Sequence, residues 1–219
     1  MKKSKLSAAF NSSLILVSLF MFACTKDTAA DIDEESKNKI TASGNPALQN
    51  ATYAAPCGTS NLAHIGSIPL LASQTYVEMG SLNFNKRQVY FTDADCKTMA
   101  FQIQERGRIH VAGKSAVVAN ALDEDFNYES ITLMVHDELV MNAFNQVSLC
   151  GINNWTKGTE RDLGVQASVG ICPGQVSHRK TIEIVLVENN QLYFGADDNP
   201  DNAHKRPTQV NRSRPFSKK

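Results

Sequence analysis

Five cysteines stand at positions 24, 57, 96, 150 and 172, and their spacing bears on acylation, cross-linking and metal binding. None of them forms the tight Cys-x2-Cys cluster of a zinc site, so these thiols are not read as metal ligands. The histidines, at 64, 110, 136, 178 and 204, are spread along the chain. His110 and His136 fall on the polar phase of predicted strands, which places them at the surface or rim. His136-Asp137-Glu138 reads as a strand-to-helix junction with a carboxylate cap rather than an acid-base site. Ser168 lies between turn-like residues outside any Gly-x-Ser-x-Gly elbow, and the chain has no Walker loop, dinucleotide fingerprint or His-Glu-x-x-His helix. The acidic stretch Asp197-Asp-Asn-Pro-Asp201 lacks the spaced ligands and closing Glu of a calcium loop and reads as an exposed loop. These residues predict a non-enzymatic protein with no catalytic residue, metal or cofactor.

The first 24 residues say most about where the chain works. Lys2, Lys3 and Lys5 precede the apolar run Leu14 to Ala23, which is too short to span a bilayer and stops at Cys24. This arrangement resembles the bacterial lipoprotein signal, in which a cysteine after a small residue becomes the acylated N-terminus. The resemblance implies cleavage after residue 23 and lipidation, palmitate included, at Cys24. Two or three acyl chains give stable membrane attachment, at about 0.8 kcal/mol per buried methylene. Thr25 stands where an Asp would retain such a protein in the inner membrane, so the expected location is the outer membrane of the cell envelope, lipid-anchored.

The whole chain balances 22 basic against 22 acidic side chains, and 19 against 22 remain once the three lysines before residue 24 are discounted. That balance carries no nucleic-acid footprint. The basic residues after Asp201, from Lys205 to Lys219, read as a solvated tail. Residues 24–55 mix small and charged types without periodicity, too few apolar to offset the entropy of ordering. They read as a tether reaching on the order of 30 Å, and residues 56–219 as one domain.

With Cys24 lipidated, Cys57, Cys96, Cys150 and Cys172 form an even set in an exported protein, where disulfides are the default. Three connectivities are open. We adopt Cys57 with Cys96 and Cys150 with Cys172, which close the shortest loops and flank runs of adjacent strands; each would add roughly 3 to 4 kcal/mol on the entropic model.

The elements that must carry these residues are mostly strands. Met99, Phe101 and Ile103 alternate with Thr98, Gln102 and Gln104, and Ile109 and Val111 resume the alternation beyond Gly107, which marks a tight turn or bulge. Residues 88–92, 128–135, 181–187 and 192–194 are further predicted strands, and Glu188-Asn-Asn-Gln191 is the clearest hairpin. Residues 137–149 depart from this pattern: Leu139, Val140, Ala143, Phe144 and Val147 share one helical face, Asp137 can cap the start, and Gly151 can close the end. The fold class is therefore mainly β, an antiparallel up-and-down barrel or sandwich with one helix and two disulfides.

A cysteine at the domain start, then Tyr90-Phe-Thr-Asp-Ala-Asp-Cys96, Cys150-Gly-Ile-Asn-Asn-Trp155, Gln191-Leu-Tyr-Phe-Gly195 and Arg206-Pro207, resembles small lipocalin-like lipoproteins of Gram-negative bacteria. The resemblance implies a barrel whose interior holds a small apolar molecule, as an outer-membrane lipoprotein. The alternative is a structural or protein-interaction envelope lipoprotein with a filled barrel. Trp155 reads first as a packing anchor beside a disulfide and second as an aromatic contact to a ligand. Phe84, Tyr90, Phe91, Phe101, Phe144, Tyr193 and Phe194 read as a core set.

Overall fold

The computed structural model describes residues 50–164, 172, 180–196 and 205–219. Cys24, Ser168, His178, His204 and Asp197 to Asp201 lie outside the described residues.

Chain order runs β1 (Ala51–Ala54), β2 (Gly58–Thr59), β3 (His64–Ile65), β4 (Ile68–Pro69), β5 (Ala72–Met79), β6 (Asn83–Phe91), β7 (Met99–Lys114) and β8 (Leu122–Val135). Helix α1 (Glu138–Gln146), β9 (Glu160–Asp162), β10 (Lys180–Glu188), β11 (Gln191–Phe194) and β12 (Phe216–Lys218) follow. Strands β5, β6, β7, β8, β10, β11 and β12 pair in succession, always antiparallel, and β1 bonds to both β12 and β5. The result is a closed eight-stranded up-and-down barrel, which removes the sandwich alternative and leaves no open edge in the ring. β2 and β9 lie outside the ring, against β5 and β8, and β3 pairs with β4 in a small separate hairpin.

Local residue chemistry accounts for much of this. Asn189 and Asn190 sit at φ 51° and 61°, as a two-residue type I′ hairpin between β10 and β11 requires. The two strands expected around Gly107 are one strand of 16 residues, with a register shift between Arg106 and Gly107. A Cβ at Gly107 would stand 2.1 Å from the Asn127 carbonyl oxygen and 2.8 Å from the Phe84 ring. Glycine is therefore required by close approach as well as by the bulge.

The first barrel strand lies within the stretch 24–55 expected to be a tether. Tyr53 is fully buried and pairs with Val77 and Lys218, so the folded part begins no later than Ala51. Ala51-Thr-Tyr-Ala54 offers a single large side chain, too little periodicity to stand out.

Asp137 caps α1 as expected, its Oδ1 accepting from the amides of Leu139 at 2.8 Å and Val140 at 3.1 Å. The helix ends at Gln146, earlier than the expected Leu149, because Ser148 is already left-handed at φ 47°. Cys150 and Gly151, at φ 56° and 75°, continue this tight reversal. Val140 and Phe144 alone form the buried stripe. Leu139 is 69% exposed, a hundred degrees round the helix from Val140, and Val147 is 58% exposed as the C-cap residue beyond the last turn.

Both adopted disulfides are formed, Cys57–Cys96 with Cα atoms 6.1 Å apart and Cys150–Cys172 with 5.5 Å. The first anchors a loop ordered by Asp93, whose carboxylate accepts from the amides of Asp95, Lys97 and Thr98. Those bonds, the Lys97 amide foremost, hold the Asp93 carboxyl down to about 2.

The aromatic set divides into separate groups. Tyr90, Phe101, Phe144 and Trp155 form a continuous stack that joins the barrel interior to α1, with centroid separations of 4.6, 5.4 and 5.5 Å. Phe91 packs with Ala72 and Val89, and Tyr193 packs with Ile184 and Leu186, both in clusters apart from the main core.

Candidate functional site: a cavity inside the barrel

Strand alternation turns Phe84, Phe126 and Tyr128 to one side of the wall, and Phe194 and Phe216 join them from β11 and β12. Phe84 meets Phe126 edge-on at 5.0 Å and Tyr128 at 5.1 Å; Phe194 lies 6.1 Å from Phe126 and 5.5 Å from Phe216. These rings and Val77, from five of the eight barrel strands, border a cavity of about 360 Å³ to which β10 adds Thr181 and Glu183. That volume lies within the usual range for small-molecule sites.

The wall is polar in part. Lys86, Thr181, Glu183 and Arg214 also border the cavity. Lys86 is paired with Glu105 at 3.1 Å, and the Thr181 hydroxyl lies 3.5 Å from the Tyr128 hydroxyl. These charges do not match a purely apolar occupant.

Next to the cavity, β8 carries Asp123, Glu124 and Asp125. Asp125 bonds Arg206 at 2.7 Å and Lys180 at 2.8 Å, and His110 stands 3.7 Å away. Burial pushes the Asp125 carboxyl up, but the bonds from Lys180 and Arg206 outweigh it and hold the group below its ordinary value. Arg206 also ion-pairs with Asp123 at 3.5 Å and donates to the backbone carbonyls of Glu124 and Glu183, bridging β8 and β10. Glu124 has the opposite environment. It is 2% exposed, its Oε2 has no hydrogen-bond partner among the described residues, and burial pushes its carboxyl up to about 7.

Trp155 is 3% exposed and stands apart from the cavity residues. Its indole donates to the Leu149 carbonyl at 3.3 Å, and Asn145 brackets its backbone on both sides at 2.6 and 3.1 Å. It serves as the packing anchor of the two expected roles. His110 is exposed, as expected, whereas His136 is half-buried with Nε2 unpartnered among the described residues. Burial, with Arg87 and Lys157 nearby, holds His136 below its ordinary range. Sequence reasoning passed over Phe126, Phe216, Glu124 and Glu183. The signal for the first pair was present in the period-2 pattern of β8 and the isolated Phe before the final lysines.

The fold and cavity define a closed antiparallel β-barrel of the cavity-bearing kind. The family model for Adenomatosis polyposis coli down-regulated 1 matches residues 30–198, and the chain belongs to that family. No curated protein matches the chain. The match is to a eukaryotic family, which overturns the identification as a bacterial lipoprotein of lipocalin-like type, and with it the outer-membrane lipoprotein function and its filled-barrel alternative.

Proposed function

We propose that the barrel is a binding module for a small amphipathic molecule, with no reaction assigned to it. The supporting observation is the cavity of about 360 Å³, where five aromatic rings form an apolar surface and polar side chains, Thr181 and Arg214 among them, share the wall. Aromatic walls contribute apolar contact, while a few fixed polar groups orient what is bound. The two disulfides support a reading in which the domain works in an oxidising compartment.

The test is to fill the space. Thr181→Phe places a ring among Phe126, Tyr128 and Phe194 from a half-buried position, and should abolish uptake of a fluorescent apolar probe while far-ultraviolet dichroism stays unchanged. Undiminished uptake by the folded variant would refute the cavity as the site.

A further inference from the structure

We propose that the cavity takes a singly charged organic anion, a carboxylate on an apolar body, with Arg214 receiving the carboxylate where the cavity meets solvent; the assignment rests on the cavity being a ligand site. The argument begins with the turn before β12. The Asn211 amide donates to the Phe194 carbonyl at 2.8 Å and so ties this turn to β11. The Asn211 Oδ1 accepts from the Ser213 amide at 3.2 Å and from the Ser213 hydroxyl at 2.7 Å. The Arg214 amide then closes on the Asn211 carbonyl at 3.4 Å, and Phe216 enters β12 two residues later. Asn211 and Phe216 both border the cavity, so the backbone of Arg214 is held between two wall residues.

The two arginines of the turn take different courses. Arg212 pairs with Glu188 at 2.6 Å and lies over the Tyr193 ring, 5.5 Å from its centroid. Arg214 borders the cavity, is exposed, and its guanidinium has no hydrogen-bond or ion-pair partner among the described residues. The other charged groups on the wall, Lys86 and Glu183, are both engaged within the protein, Lys86 with Glu105 at 3.1 Å. The acids of the neighbouring β8 run, Asp123 and Asp125, are matched by Arg206 and Lys180.

A guanidinium presents a planar fork of donors that fits a carboxylate through two parallel bonds. A second negative charge on the ligand would find no further unpaired cation on the wall and would face Glu183, which favours a monoanion over a phosphate dianion. The rings of Phe84, Phe126, Phe194 and Phe216 then take the apolar body. Because Arg214 is exposed, solvent screens the contact, and its expected contribution is about tenfold in affinity.

The experiment is calorimetric titration of the full chain at neutral pH with octanoate, octanol, octylamine and octyl phosphate. Octanoate should bind about tenfold tighter than octanol and more tightly than the other two, with the advantage shrinking as salt is added. Arg214→Gln should bring octanoate to the level of octanol and leave octanol itself unchanged, whereas Arg214→Lys, a point charge without the fork, should retain part of the preference. Arg212→Gln, which acts on the group held by Glu188, should leave octanoate unchanged. Tighter binding of octylamine or octyl phosphate would overturn the proposal, and so would an octanoate preference that survives in Arg214→Gln. Octanol bound as tightly as octanoate overturns this inference alone; failure of all four ligands overturns the cavity reading as well.

Discussion

Glu124→Gln tests directly how burial acts on this barrel without ligand. An ordinary glutamate titrates near 4.5, whereas Glu124 in the folded protein sits at about 7. At 1.36 kcal/mol per pKa unit, the ionised form is disfavoured by about 3 kcal/mol in the native state. The sign follows from the raised folded value. Below pH 4.5 the group is protonated in both states and costs nothing; between pH 4.5 and 7 the unfolded chain ionises while the folded one keeps its proton, so native stability falls across that window and levels off above it. Gln keeps the shape of the protonated acid and carries no charge at any pH. Urea denaturation of both proteins at pH 5 and pH 8.5 should show the variant gaining about 3 kcal/mol on the parent at the higher pH, or roughly 10 °C in Tm. Asp93, Asp125 and His136 also titrate away from their ordinary values, but they are common to both proteins and cancel in the difference. A difference that is the same at both pH values would refute the claim that burial dominates Glu124.

Three further outcomes are expected. Gly107→Ala should destabilise by about 3 kcal/mol in denaturant titration, since its methyl group would overlap the Asn127 carbonyl and the Phe84 ring. Phe144→Ala should cost about 4 kcal/mol and shift the Trp155 emission, because Phe144 is fully buried and joins Phe101 to Trp155. Arg206→Met should cost about 2 kcal/mol by removing the donor shared by the Glu124 and Glu183 carbonyls, with the loss measured by chemical unfolding at pH 7.

Elements with strong local signals were legible from sequence. The Asn189-Asn190 turn, the alternation through β7, the Asp137 cap and the two disulfide pairings each follow from a short-range rule. Closure of the ring was not, because β1, β11 and β12 are three or four residues long and hold their places by pairing with distant strands. The cavity was illegible for the same reason: its residues come from six strands that only the register assembles. Leu122-Asp-Glu-Asp-Phe126 looks like a solvated run. Alternation and the Arg206 bridge instead turn its middle acid inward while the outer two meet cations.

On the outer wall, Glu78, Asn85, Gln104, Arg106, Glu160 and Thr132 pass hydrogen bonds from one to the next across β5, β6, β7, β9 and β8. Such a belt behaves like lashing around a cask, because a slip of β6, β7 or β9 by a single residue would turn its member of the chain to the opposite side and break the links on both sides together. Register on this side is therefore fixed from outside as well as from the core, and shape fluctuation is left to the short staves β1, β11 and β12, where amide hydrogens should exchange first.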